Sequence, residues 1–207
     1  MAKFPEPPPA GELLKLRADE TTLPEGTLLW RIYFQAGRHP TTWDSFRDFG
    51  PANSRFDHHL LPKRKQSRAI LYASERGATC LAEVFQETRT IDRNRDEPWL
   101  VAFELGGPVR LQDLTGSWPT RAGASMAINS GSRPRARQWS RAIYRAYPTI
   151  EGILYCSSMD GNQPAVALYE RASSALPAQP VFHRALADSV MTKLIANVAL
   201  KFGYVVV

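Results

Sequence analysis

The sequence predicts a single α+β domain: a mixed β-sheet core flanked by helices. Three observations point there. The chain of 207 residues suits one domain with a full core. Short apolar and aromatic runs bounded by Gly, Pro, Asn and Asp read as strands. Helical periodicities fall among them without the regular strand–helix alternation of a doubly wound sheet. At 43% hydrophobic and 22% charged residues, the chain has a globular rather than a disordered composition.

Residues 1–26 form an N-terminal arm, partly extended because Pro5, Pro7, Pro8 and Pro9 crowd its start. Residues 12–17 within it suit a short helix. Residues 27–34, after Pro24-Glu25-Gly26, are apolar and aromatic and predict a strand. Residues 35–68 are polar, with scattered Gly, Pro and Asn, and read as a long functional loop with little regular structure. Residues 69–73 predict a strand and 74–77 a turn. Residues 78–88 place Leu81, Val84 and Phe85 at helical spacing. Residues 99–105 and 109–114 predict strands on either side of Gly106-Gly107-Pro108. The Gly- and Ser-rich stretch 115–132 holds at most a short helix. Residues 134–147 predict a helix that Pro148 stops. Residues 152–157 and 165–169 predict strands around the turn Asp160-Gly161-Asn162. Residues 171–180 read as a loop. An amphipathic helix follows over 184–202, closed by Gly203, and 204–207 suit an edge strand. There are no internal repeats.

The net charge of +6 and pI of about 9.5 come with many arginines, which bind phosphate and carboxylate bidentately. Nucleic acid, a phosphorylated small molecule and an acidic protein all fit that balance. No apolar run approaches the roughly 20 residues of a membrane helix. The start Met1-Ala2-Lys3-Phe4-Pro5 lacks the apolar core of a secretory signal, so the expected location is the cytoplasm. Cys80 and Cys156 are far apart in apolar surroundings and read as buried free thiols. No glycine-rich dinucleotide or P-loop motif is present, and Gly123-Ala124-Ser125 lacks the second glycine of a nucleophile elbow. His39, His58, His59 and His183 offer no ligand spacing, so no metal is expected.

What stands out is a set of polar groups embedded in apolar runs, where burial without partners is costly. Arg31 lies in Leu29-Trp30-Arg31-Ile32-Tyr33, Glu83 in Leu81-Ala82-Glu83-Val84-Phe85, and Ser157 at the end of Gly152-Ile153-Leu154-Tyr155-Cys156-Ser157. Between them lie Ser54-Arg55-Phe56-Asp57 and Ile70-Leu71-Tyr72-Ala73-Ser74. Together they suggest a polar pocket cut into the core.

These motifs, in this order over about residues 28–170, resemble the RES domain family. The resemblance implies an α+β fold similar to ADP-ribosyltransferase toxins, with residues 27–207 as the catalytic domain. It implies a toxin paired with an Xre-type antitoxin, through which alone it would meet nucleic acid. It implies NAD as the substrate, cleaved between nicotinamide and ribose, with ADP-ribose passed to phosphate, water or a target protein.

The residues accommodate that chemistry. Breaking the bond builds oxocarbenium character on the ribose, and Glu83 is the candidate carboxylate to stabilise it; otherwise it is an exposed helix glutamate. Arg31, on a strand face shared with Tyr33, would meet a diphosphate or an internal carboxylate such as Glu83. Arg55 would clamp the same diphosphate, or be an ordinary solvated arginine. Tyr72, or more weakly Tyr33, would stack on the cationic nicotinamide, or serve as core tyrosines. Ser157 would contact the nicotinamide end, with Ser158 facing away. Asn162 lines the rim or simply makes the turn. The basic segment 130–137 suits an acidic antitoxin or substrate protein as well as a solvated helix start.

Two other classes remain open. Aromatics interleave with arginines at Trp30-Arg31, Arg55-Phe56 and Arg137-Gln138-Trp139, as on nucleic-acid-binding surfaces. A binding partner that keeps the pocket without turnover is the third reading.

Overall fold

A computed structural model describes residues 4–207; the first three residues of the predicted arm lie outside the described residues. The elements run α1 (Ala10–Leu13), β1 (Glu20–Leu23), β2 (Leu28–Phe34), β3 (Arg47–Gly50), β4 (Arg64–Ser74), α2 (Gly77–Val84), β5 (Thr90–Ile91), β6 (Pro98–Glu104), β7 (Val109–Asp113), α3 (Trp118–Arg121), α4 (Arg133–Ala146), β8 (Gly152–Cys156), β9 (Pro164–Tyr169), β10 (Phe182–Ala185), α5 (Thr192–Phe202) and β11 (Val205–Val206). The main sheet has the order β1-β7-β8-β9-β4-β2-β6-β10, with β3 paired to β4. Its pairs are antiparallel except β7 with β8, so the sheet is mixed and the α+β reading holds.

Helices cover the sheet through separate apolar clusters. On α4 the buried residues Ala136, Trp139, Ser140, Ile143 and Ala146 recur every three or four positions, the spacing of one helical face. They pack with Phe56, Trp118, Ile153 and Tyr169. The Ser132 side chain caps α4 and Pro134 occupies its first turn, a common helix opening. Against another part of the sheet, Leu81 of α2 joins Ile195 and Val198 of α5. Gly203 ends α5 at φ 66°, a left-handed position that suits glycine.

The polar stretch 35–68 is more ordered than its composition suggests. It contains β3 and the first half of β4, whose residues Arg64–Arg68 are mostly half-exposed or exposed. A strand with neither face buried lacks the alternating apolar signature. The predicted helix 184–202 is also divided. β10 pairs with β6 at the sheet edge, and Asp188 caps a 3-10 turn over Ser189–Met191 before α5 begins. The apolar positions Leu186 and Val190 fit helical spacing by coincidence of these separate elements. The first helix lies at Ala10–Leu13 rather than 12–17, α2 ends at Val84 rather than 88, and the 171–180 loop starts with a 3-10 turn over Glu170–Ala175. The terminal strand pairs with β5 in a small parallel sheet instead of edging the main one.

The N-terminal segment is attached at several points from Pro5 onward. β1 pairs with β7, Leu13 is buried, and Trp139 Nε1 donates to the Pro5 carbonyl at 2.9 Å.

Gly152 fixes the one parallel crossing of the sheet. A Cβ there would stand 2.7 Å from the Ala167 carbonyl oxygen and 2.9 Å from Leu111. Gly152→Ala should therefore destabilise the fold by about 1–3 kcal/mol, measured by urea unfolding; an unchanged midpoint would show that β7–β9 can spread.

Candidate active site

The site forms where α2 packs against β2 and β4 and meets the residue that follows β8. A Cβ on Gly77 would lie 3.3 Å from the Trp30 ring, so glycine lets α2 sit close against β2. Within α2, Thr79, Cys80, Leu81 and Ala82 are buried, and Glu83 is half-buried in its last turn.

Ser157 follows directly after β8 and is fully buried. Its hydroxyl donates to Glu83 Oε1 at 2.5 Å and accepts from the Met159 backbone N–H at 3.2 Å. The turn behind it is closed by Ser157 N–H to Gln163 O at 2.9 Å and Asn162 N–H to Ser157 O at 3.1 Å. Gly161 and Asn162 take φ of 53° and 63°, the left-handed region that glycine and asparagine tolerate best. Asp160, 5% exposed, pins this turn to two helices. It accepts from Thr79 Oγ1 of α2 at 2.7 Å and from Lys201 Nζ of α5 at 2.6 Å. Asp160 is a functional-site support that the sequence disguised as a turn residue.

Glu83 opens onto a cavity of about 470 Å³, within the usual range for small-molecule sites. Arg31, Arg47, Arg55 and Arg133 line it together with Tyr33 and Tyr72. Of the seven residues singled out from sequence, Arg31, Tyr33, Arg55, Tyr72 and Glu83 therefore share one cavity. Ser157 stands behind Glu83 outside the lining, and Asn162 is an exposed turn residue away from it. Arg47, Arg133 and Gln86 were not singled out. Arg133 lies in the basic segment 130–137, where charge alone suggested a docking role.

Arg31 is 8% exposed. Its Nη1 donates to the carbonyls of Trp43 at 2.7 Å and Ser45 at 2.9 Å, and no ion pair joins it to Glu83. Burial lowers its pKa to about 10, with Asp44 and Tyr33 acting the other way, so it is a cation at neutral pH. The buried arginine thus ties the 41–46 loop over the cavity wall. Arg55 Nη1 donates to the Gly131 carbonyl at 2.6 Å. Burial lowers its pKa while the Glu83 carboxylate raises it. Tyr72 Oη accepts from the Phe56 N–H at 3.1 Å, and Tyr33 Oη meets His183 Nε2 at 2.5 Å. Burial raises both phenols, so they are neutral at physiological pH. Burial pushes the Cys80 thiol up to about 12 and also raises Cys156, which makes Cys156 a poor nucleophile beside Ser157. Phe56 and Trp139 are fully buried, so neither can stack on a nucleic-acid base. Among the described residues, no cluster of three His, Cys, Asp or Glu side chains could hold a metal.

The cavity sets four guanidiniums and three phenols, those of Tyr33, Tyr72 and Tyr155, around Glu83 and Glu87, a lining that suits an anionic, ring-bearing ligand. The chain belongs to the RES domain family, which it matches over residues 28–189. Its fold is similar to that of a chain in the crystal structure of the M. tuberculosis MbcT–MbcA toxin–antitoxin complex, with a TM-score of 0.58 and 14% identity over 90% of this chain and 97% of that one. No curated protein matches the chain. Among the described residues, no helix is long and apolar enough to cross a membrane.

Replacing Arg31 with Met should release the 41–46 loop while β2 stays paired in the sheet. Faster hydrogen exchange confined to residues 41–46 is the expected result. Unchanged protection there would show that the loop is held without the arginine.

Proposed function

We propose that this protein is an NAD-consuming toxin that breaks the bond between nicotinamide and ribose. The observation that supports it most is the Glu83 carboxylate, oriented by buried Ser157, facing a cavity rich in arginine and tyrosine. NAD offers groups for each of these. Its diphosphate suits Arg31 and Arg55, where charge-assisted and bidentate bonds form. Its cationic nicotinamide ring suits the face of Tyr72, with Tyr33 nearby.

In the reaction, the bond between ribose C1′ and the nicotinamide nitrogen breaks. The electron pair leaves with nicotinamide, and positive charge develops on the ribose. Glu83 stabilises that charge without reorganising, because Ser157 and the α2 scaffold already hold it in place. Water or phosphate then attacks C1′; where water attacks, its proton passes to bulk solvent. The leaving group is already a pyridinium, so the step requires no metal. Ser157 acts here through Glu83 and positions it. Membership of the RES family supports an Xre-type antitoxin as the partner that restrains this activity, and any nucleic-acid contact would be that partner's.

The test is free nicotinamide released from NAD by the purified chain, with and without phosphate. Release is expected, and Glu83→Gln should lower it by on the order of 100-fold or more while the fold is kept. A rise with phosphate identifies phosphate as the acceptor. Glu83→Gln turning over NAD at the parent rate would remove Glu83 from the mechanism.

A further inference from the structure

α2 ends where α4 begins, and three side chains close the gap. Arg133, the first residue of α4, donates through Nη2 to Gln86 Oε1 at 2.9 Å and through Nη1 to Glu87 Oε1 at 2.7 Å. Gln86 Nε2 donates to the Glu83 backbone carbonyl at 2.5 Å and, more distantly, to Glu83 Oε2 at 3.4 Å. All four residues line the cavity. The partners settle which way the amide points: its oxygen faces an obligate donor, so its NH2 must face Glu83. Glu83 is thus held on both oxygens, Oε1 by Ser157 and Oε2 by Gln86.

Glu83 lies in the last turn of α2, where Gln86 Nε2 also caps its backbone carbonyl. Arg133, the first residue of α4, reaches that end with its side chain. Arg31, Arg47 and Glu87 share the Glu83 cavity. Arg55, from the loop after β3, senses Glu83, as do the Cys80 thiol and the Tyr155 and Tyr204 phenols. The thiol and the two phenols are neutral at physiological pH, because burial raises each of them. Arg133 is already ion-paired to Glu87, so Arg55 is the cation that acts on Glu83 directly and Gln86 is the neutral donor that faces it.

We infer that Gln86 is a positioning residue for Glu83, and that Arg133 acts through it by locking the amide in the donating orientation. The catalytic consequence rests on the NAD reading; the effect on the Glu83 carboxyl does not. Gln86→Glu keeps an acceptor for Arg133 but sets a second carboxylate against Glu83. Gln86→Met removes the donor without adding charge.

Two measurements on the full chain test this. The first is titration of the Glu83 carboxyl by carbon-13 NMR in glutamate-labelled protein, assigned with Glu83→Gln. The Glu83 pKa should rise by about one unit or more in Gln86→Glu, as expected when two carboxylates share a site, and rise less in Gln86→Met. The second is nicotinamide release from NAD as a function of pH. Gln86→Met should lower kcat by about 10- to 100-fold, the scale of a misplaced catalytic group, with KM nearly unchanged. Gln86→Glu should move the acid limb upward by the same amount as the carboxyl titration. Arg133→Met should share the kcat loss. A Glu83 titration identical in parent, Gln86→Glu and Gln86→Met would overturn the inference whether or not NAD is turned over. Absence of nicotinamide release by the parent, with the titration shifted, would sink the NAD reading and leave the positioning role standing.

Discussion

The hydrogen bond from Ser157 to Glu83 joins two parts of the chain that are distant in sequence, and the site depends on it. One partner comes from the last turn of a short helix and the other from the end of a central strand. A fully buried hydroxyl needs a partner, and here its donor is spent on the carboxylate that faces the cavity. The same contact thus satisfies the core and aims a functional group. Asp160 reinforces it by tying the turn after Ser157 to Thr79 on the same helix and to Lys201 on α5. Side chains that share partners in this way restrain each other, and such networks hold geometry better than isolated pairs.

Around that contact the arginines divide the labour of charge and shape. Arg31 and Arg55 each give a guanidinium nitrogen to backbone carbonyls. Those bonds fix the loops that frame the cavity. Arg47 is anchored at 2.9 Å to Asp57, whose carboxyl is fully buried. Cations fixed before a ligand arrives lose little freedom on binding it, which is the advantage of a preorganised anion site. The basic net charge of the chain is thus concentrated, in part, on the walls of one cavity.

Much of this was legible in the sequence because buried polar groups are conspicuous among apolar neighbours. Arg31, Glu83 and Ser157 each interrupt or end an apolar run, and the order of their motifs pointed to the family. The strands and the helix over residues 134–147 followed from periodicity and from proline and glycine signals. What escaped were features whose signal lies in three dimensions. Arg64–Arg68 pair as a strand although their composition is that of a loop. Asp160 reads as a turn residue, and only its contacts with Thr79 and Lys201 show it as a brace. Gln86 looks like a solvated helix residue until Arg133, 47 positions later, is seen to fix its amide. Arg31 was expected to need a ligand or a carboxylate, whereas backbone carbonyls of a neighbouring loop serve as acceptors.

The central claim is that Glu83 meets the nicotinamide ribose of one NAD molecule while the arginines hold its diphosphate. A crystal structure of Glu83→Gln bound to NAD tests it most directly. The account predicts the diphosphate within hydrogen-bonding distance of Arg31 or Arg55, the nicotinamide ring on Tyr72, and ribose C1′ beside residue 83. NAD bound with its nicotinamide ribose away from residue 83, or outside this cavity, would contradict it.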